Sequence, residues 1–379
     1  MAGPLDTLRV DNVGSMLRPP ELREAFAARA AGEIDDAALG AAQDVAIRAL
    51  VARQESIGMP IVVDGEFRRT GYLASFSEVE GAEHWLSNWT PRTIGREHPD
   101  EAGAVRGRDP VHDDDLRSVA TSTLRLLRNR PLEEWRFVAA QTALPAKVTI
   151  IGPDRASTLH ALGRPGDVYG GDAERFIADV VAVEREMVGQ LVDAGCRYVH
   201  IDEPGFTAYA DAASLEVLRG RGEDPLINLQ RSIDANNALI DGFDGVTFGV
   251  HLCRGNRESQ WHREGSYDAI ADAVFGELRY DRLMLEYDTE RAGGFEPLRH
   301  VRPEAVVVLG LLTTKTGAIE DADAIRRRID EAARHVPLER LALSTQCGFA
   351  SGIAGNLISE DEQWRKLELV LEVAAEVWG

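Results

Sequence analysis

Cysteine is scarce in this chain: three occur in 379 residues, Cys196, Cys253 and Cys347. An odd, scattered set builds no disulfide framework and fits a reducing cytoplasm. Long apolar runs are also missing, so no segment of about 18 apolar residues is available to span a bilayer. The opening residues, MAGPLDTLRV, lack the apolar core of a signal peptide. Cations are in deficit, with 42 Lys and Arg against 63 Asp and Glu and a net charge of −21. Such a surface repels phosphate backbones and anionic lipid, which argues against nucleic-acid and membrane-surface partners. What is present is a hydrophobic fraction of 44%. That is enough for a substantial core and excludes wholesale disorder.

Short apolar runs recur along the chain and alternate with longer helical patterns. A faint one lies at Leu8–Gly14. Clearer ones follow at Ile61–Gly65, Lys147–Ile151, Tyr198–Asp202, Val246–His251, Leu283–Tyr287, Val306–Leu312 and Leu341–Thr345. Several are continuous Val/Ile/Leu runs without alternation, as expected of parallel strands buried on both faces. Helical patterns fill Glu21–Gly58, Ala173–Ala194 and Ala322–Ala333. A final helix opens with Ser359-Glu360-Asp361-Glu362, which reads as a capping box. Eight strands alternating with helices predict an α/β fold, a (β/α)8 TIM barrel spanning residues 1–379 as one domain. A doubly wound open sheet is the alternative. Residues 75–143 break the alternation with Trp85, Trp89, Pro91, Pro99, Pro110 and Pro131, and read as an insertion after the second strand, a hairpin or lid.

In a barrel, chemistry gathers where strands end. These ends read Gly14-Ser15, Asp64-Gly65-Glu66, Gly152-Pro153, Asp202-Glu203-Pro204, His251-Leu252-Cys253, Glu286-Tyr287-Asp288, Thr314-Lys315 and Gln346-Cys347-Gly348. His251, Cys253, Glu286 and Cys347 form a plausible zinc set in donor type and number. Residues two apart in a strand project to one side, so His251 and Cys253 can share an ion. An isolated pair of cysteines is more often two small buried hydrophobes; the strand-end acid and the glycine beside Cys347 favour the metal. Cys196, before its strand on the opposite rim, reads as structural. Glu66, Asp202 and Glu203 converge on the same mouth. Helix capping and strand-end solvation are the ordinary explanation of such acids. A substrate ammonium group is the sharper one, with Arg18, Arg68, Arg69 and Lys315 as partial counter-ions.

The phrases VGSMLRP, VVDGEFRR, VHIDEPGF, HLCRGN, LMLEYDTERAGGFEPL, LGLLTTK and LSTQCG carry a resemblance over nearly the whole chain. The chain resembles the catalytic half of cobalamin-independent methionine synthase, a zinc-dependent (β/α)8 barrel that methylates homocysteine, and its short single-barrel relatives. The resemblance implies Zn2+ on His251, Cys253, Glu286 and Cys347, with Glu286 yielding to the incoming sulfur. It implies homocysteine binding by Ser15, Glu66 and Asp202, an ammonium being paired by the two acids. Two features depart from the long family members. Their second, N-terminal barrel has no counterpart here, and Lys315 stands where they carry a catalytic histidine. The folate-binding surface is not recognisable in Ile151–Leu162. The methyl donor therefore stays open among methylcobalamin, a corrinoid protein and methyltetrahydrofolate. Another short relative, epoxyalkane:coenzyme M transferase, alkylates a sulfonate thiol, which Glu66 and Asp202 would repel. A zinc-binding barrel without turnover and a metal-free, decarboxylase-like barrel are the remaining alternatives.

Overall fold

The computed structural model describes residue 5 and residues 7–82, 97–99, 105–106 and 117–379. Six parallel strands run in chain order through its centre: Val148–Ile151, Tyr198–Asp202, Thr247–Leu252, Arg282–Glu286, Val306–Leu312 and Leu341–Thr345. Nearly every residue of these strands is buried, the arrangement continuous apolar runs predict. Single parallel bridges extend the series at both edges, Val62 to Ala146 and Val10 to Leu343. Eight parallel positions result, and the fold is that of a (β/α)8 barrel.

The first two positions are thinner than the sequence predicts. Leu8–Gly14 and Ile61–Gly65 make one bridge each rather than ladders, and the backbone bond joining them runs from the Met16 N–H to Gly65 O at 3.1 Å. The first segment is held instead by a polar side chain. The Asp11 carboxylate accepts from Lys147 Nζ at 2.7 Å, Tyr198 OH at 2.7 Å and Arg282 Nε at 3.1 Å. These partners sit at strand beginnings and are almost wholly buried, so the Asp11 charge is compensated inside the core.

Helices cover the outside. In Ala173–Asp193 the residues Phe176, Val180, Val183, Met187 and Leu191 recur every three or four positions and are buried on one face. Asp172 caps its start, and Gly195, at φ 106°, turns the chain toward the next strand. The helix expected over Glu21–Gly58 is two, Pro20–Ala30 and Asp36–Ser56. Gly32 at φ 74° ends the first, and the Asp35 side chain caps the second by accepting the Ala38 N–H at 2.8 Å. The Ser359–Glu362 capping box is present as expected.

Between the second and third positions, Val79–Glu80 pairs antiparallel with Arg125–Leu126, and helix Arg130–Ala139 follows. Glu97–Pro99 pairs antiparallel with Val105–Arg106, which runs parallel to Gln260–Trp261 in the loop after the fifth barrel position. Trp85, Trp89, Pro91 and Pro110 lie outside the described residues. Among the described residues, no helix is long and apolar enough to cross a membrane.

Candidate metal and substrate site

Strand alternation puts His251 and Cys253 on one side of their strand end, and the last strand delivers Cys347 to the same place. Ligand atoms of His251, Cys253 and Cys347 all lie within 4.8 Å of one another, and all three residues are buried. Among the described residues, neither His251 ring nitrogen has a hydrogen-bond partner. A buried imidazole with both nitrogens unspent is costly unless something binds there. The hydrogen bond from Cys347, reinforced by the charge of His251, holds the Cys253 thiol well below its usual range despite burial. Cys347, donor in that bond and itself buried, is pushed well above. Burial works against a charged His251, but the Cys253 sulfur, Asp202 and Glu286 raise its pKa above the ordinary value. One imidazole and two sulfurs set this close fit a borderline-soft ion such as zinc.

Glu286 ends the adjacent strand but is not drawn into that trio. Its Oε1 accepts from Arg291 Nη2 at 3.1 Å and lies 3.6 Å from Lys315 Nζ, and its Oε2 accepts the Arg254 N–H. Burial disfavours the ionised carboxyl, yet Lys315, Arg291 and Arg254 together hold its pKa below the ordinary value. Lys315 also reaches Asp288 Oδ2 at 3.4 Å. Neither Glu286 nor Lys315 lines the cavity above the cysteines.

That cavity is lined by Ser15, Glu66 and Asp202 together with the His251, Cys253 and Cys347 trio. Six of the seven residues expected to bind substrate or metal therefore face one space, Glu286 being the exception. Glu66 stands in a left-handed turn at φ 60°, directly after Gly65 at φ 67°. Such a conformation is strained for a residue with a side chain and survives only where its surroundings impose it. Here buried Arg18 donates to the backbone oxygens of Glu66 at 2.8 Å and Arg69 at 2.7 Å. The turn aims the carboxylate inward. Oε1 accepts from Thr149 Oγ1 at 2.8 Å, and Oε2 is buried without a partner among the described residues. Burial pushes the Glu66 carboxyl up to about 7; Arg69 opposes this, and Asp202 and Asp64 add to it. Asp202 behaves oppositely. Burial raises it, but His200, whose Nε2 is 3.2 Å from Oδ1, acts with His251 and Arg69 to outweigh that, and the pKa falls. Ser15 packs so closely on Gly348 that a Cβ there would lie 2.0 Å from Ser15 Oγ, which itself accepts the Ala350 N–H at 3.3 Å.

Glu203 takes the ordinary role allowed for it in the sequence. Its carboxylate accepts the N–H groups of Asp154 and Arg155 at 2.8 and 2.9 Å, capping helix Pro153–Thr158. Arg68 is likewise spent elsewhere, on Asp44 and over the Phe137 ring at 4.6 Å. The sequence did not single out Tyr72, Arg155, Arg257, His262 or Arg263, which also line the cavity. Nor did it single out Asn256, although HLCRGN contains it. The Asn256 amide donates to Gly348 O at 2.6 Å and accepts from Asn356, Thr314 and Gln346, so it braces the turn carrying Cys347.

Comparison with known proteins agrees with this geometry. Residues 149–374 match the family model for the cobalamin-independent synthase catalytic domain. The chain is 36% identical to the uncharacterized protein YxjH of Bacillus subtilis, over 98% of this chain and 94% of that one. It is 23% identical to the methionine synthase of Pyrococcus abyssi, over 91% and 87% of the two chains. A crystal structure of a putative vitamin-B12 independent methionine synthase from Listeria monocytogenes superposes with a TM-score of 0.73 at 28% identity, covering 98% of each chain. A sequence match over more than half the chain, an end-to-end relative and a shared fold lead to one conclusion: the chain belongs to the cobalamin-independent methionine synthase family.

Proposed function

We propose that this protein is a zinc-dependent methyltransferase that converts homocysteine to methionine. The observation that carries the reading is the buried trio His251, Cys253 and Cys347 opening onto a cavity with two carboxylates, Glu66 and Asp202. Zinc bound by His251, Cys253 and Cys347, with Glu286 as the fourth ligand, would supply the positive charge that keeps a thiol ionised near neutral pH. The chain's own residues do the rest. Glu66 Oε2 and Asp202 pair with the substrate ammonium, and the Ser15 N–H takes its carboxylate. The substrate sulfur then faces the methyl carbon; a C–S bond forms, and the methyl–donor bond breaks with its electron pair leaving on the donor. Holding both reactants in one orientation provides much of the rate.

Three arginines of the same cavity, Arg155, Arg257 and Arg263, support a second reading, alkylation of a sulfonate thiol such as coenzyme M. Two acids aimed at the space favour the amino-acid thiol. Purified zinc-loaded protein, offered homocysteine or coenzyme M in competition, separates the two. Preferential alkylation of coenzyme M would overturn the homocysteine assignment.

The donor is tested in the same assay. Lys315 replaces the family histidine and is turned to Asp288 and Glu286 rather than to the cavity. It is thus poorly placed to protonate a leaving pterin nitrogen, whereas a corrinoid leaves without needing an acid. Methylcobalamin or a methylated corrinoid protein is expected to support methionine formation faster than free methyltetrahydrofolate. Fast turnover on methyltetrahydrofolate alone would contradict this.

A pH effect follows from Glu66. Burial pushes its carboxyl up to about 7, and only the ionised form attracts an ammonium. Affinity should therefore fall as pH drops through about 7 and rise above it. Methionine is the cleaner probe because it carries no thiol of its own. Calorimetric titration between pH 6 and about 8 should show this limb, and Glu66→Gln should remove it.

A further inference from the structure

Glu286 stands between the candidate metal ligands and a set of cationic partners. The carboxylate has no exposed surface, so wherever it points it needs a cation. On one side lies the His251, Cys253 and Cys347 trio: Leu285 pairs with Leu252 in the adjoining strand, and Glu286 Oε2 accepts the N–H of Arg254, the residue after Cys253. On the other side Arg291 Nη2 donates to Oε1 at 3.1 Å. Arg291 is itself fixed. Its guanidinium lies over the Trp261 ring at 4.8 Å and reaches Asp288 Oδ1 at 3.4 Å, and its side chain is only 5% exposed. A rigid, planar donor of this kind holds a carboxylate in a defined place, unlike a mobile ammonium.

We propose that Arg291 is a positioning residue that receives the Glu286 carboxylate whenever it is away from the metal, and so opposes its return. This rests on the metal reading given above. For a side chain with two compensated positions, the partner at the off position shifts the balance between them. Arg291 thereby keeps a coordination place accessible to an incoming thiol. Lys315 and the Arg254 N–H contact the same carboxylate and remain when Arg291 is changed, so the anion is not stranded.

The test is zinc affinity by chelator competition, with thiol binding read from the absorption of the cobalt-substituted protein. In Arg291→Gln, zinc should bind about five- to tenfold more tightly, and homocysteine should bind more weakly by a similar factor, because the two effects are one coupling seen from both ends. General damage to the site would weaken both. Arg291→Lys, which keeps the charge but not the planar fork, should shift both in the same directions by less, and it reads the sign if Arg291→Gln fails to fold. Trp261→Leu, which removes the support beneath the guanidinium, should do likewise. Wild-type zinc affinity in Arg291→Gln, or a weaker one, would overturn the proposal while leaving the metal site standing. Wild-type protein that binds no zinc would overturn the metal reading and this proposal with it.

Discussion

Protein carrying Cys347→Ser should lose nearly all its zinc and all its methyl transfer while keeping its fold. Wild-type protein is expected to hold about one zinc per chain, and the variant less than about one tenth. The argument rests on the donor set. The trio has only three close donors, two of them sulfurs, and a hydroxyl binds zinc far less well than a thiolate. The fold should survive because serine fills nearly the same volume and its hydroxyl still donates where the thiol donated, toward Cys253. Cys253→Ser should behave alike, whereas Cys196→Ser should retain full zinc. Cys196 is buried at a helix-to-strand junction, its thiol directed at Tyr198 O at 3.4 Å. Metal content by atomic absorption, beside circular dichroism of the same samples, checks all three. Full zinc occupancy in both Cys253→Ser and Cys347→Ser would remove the site assignment altogether.

Asp202→Asn should cost homocysteine about 2–4 kcal/mol of affinity, or roughly 30- to 900-fold, because a buried charged hydrogen bond to an ammonium is lost. Zinc content should hardly move, since Asp202 lines the cavity beside the trio without belonging to it. The change is nearly isosteric, and the amide oxygen can still face His200 Nε2, so packing is preserved. Paired measurements of zinc content and homocysteine affinity decide the matter. Unchanged homocysteine affinity alongside tight binding of a sulfonate thiol would transfer the assignment to the coenzyme M reading.

The strands that were easiest to read are those buried on both faces. Val306–Leu312 carries its environment in composition alone, because a parallel strand buried on both faces has no polar face to write. The first two barrel positions were harder. Their backbone pairing is one bridge each, and what holds the first is the Asp11 carboxylate with partners 136 to 271 residues away. No local pattern encodes that. The break at Gly32 was missed because Ala- and Arg-rich sequence continues on both sides of it. In the site, residue types at strand ends located the trio. The direction of the Glu286 carboxylate was not legible, since it depends on Arg291 and Lys315, which arrive from later loops. Arg155, in the six-residue helix Pro153–Thr158, and Arg257 and Arg263, in a loop, escaped for the same reason: an arginine in so short or irregular a segment has no periodicity to declare which space it enters.

The seat of Ser15 has a consequence for biosynthesis. Ser15 accepts the Ala350 N–H across 335 residues, the Leu17 N–H donates to Gln363 across 346, and Val10 bridges to Leu343. In synthesis the second of each pair follows the first by over 300 residues. The segment around Val10 to Leu17 must therefore wait, its strand edge unpaired, while those residues are made. Cys347 belongs to the same late stretch, so the trio cannot assemble on a nascent chain before that residue has been added. A metal held by all three donors would be acquired only after that point, and a messenger truncated before Leu341–Thr345 yields a chain with neither a complete pocket nor a complete set of donors.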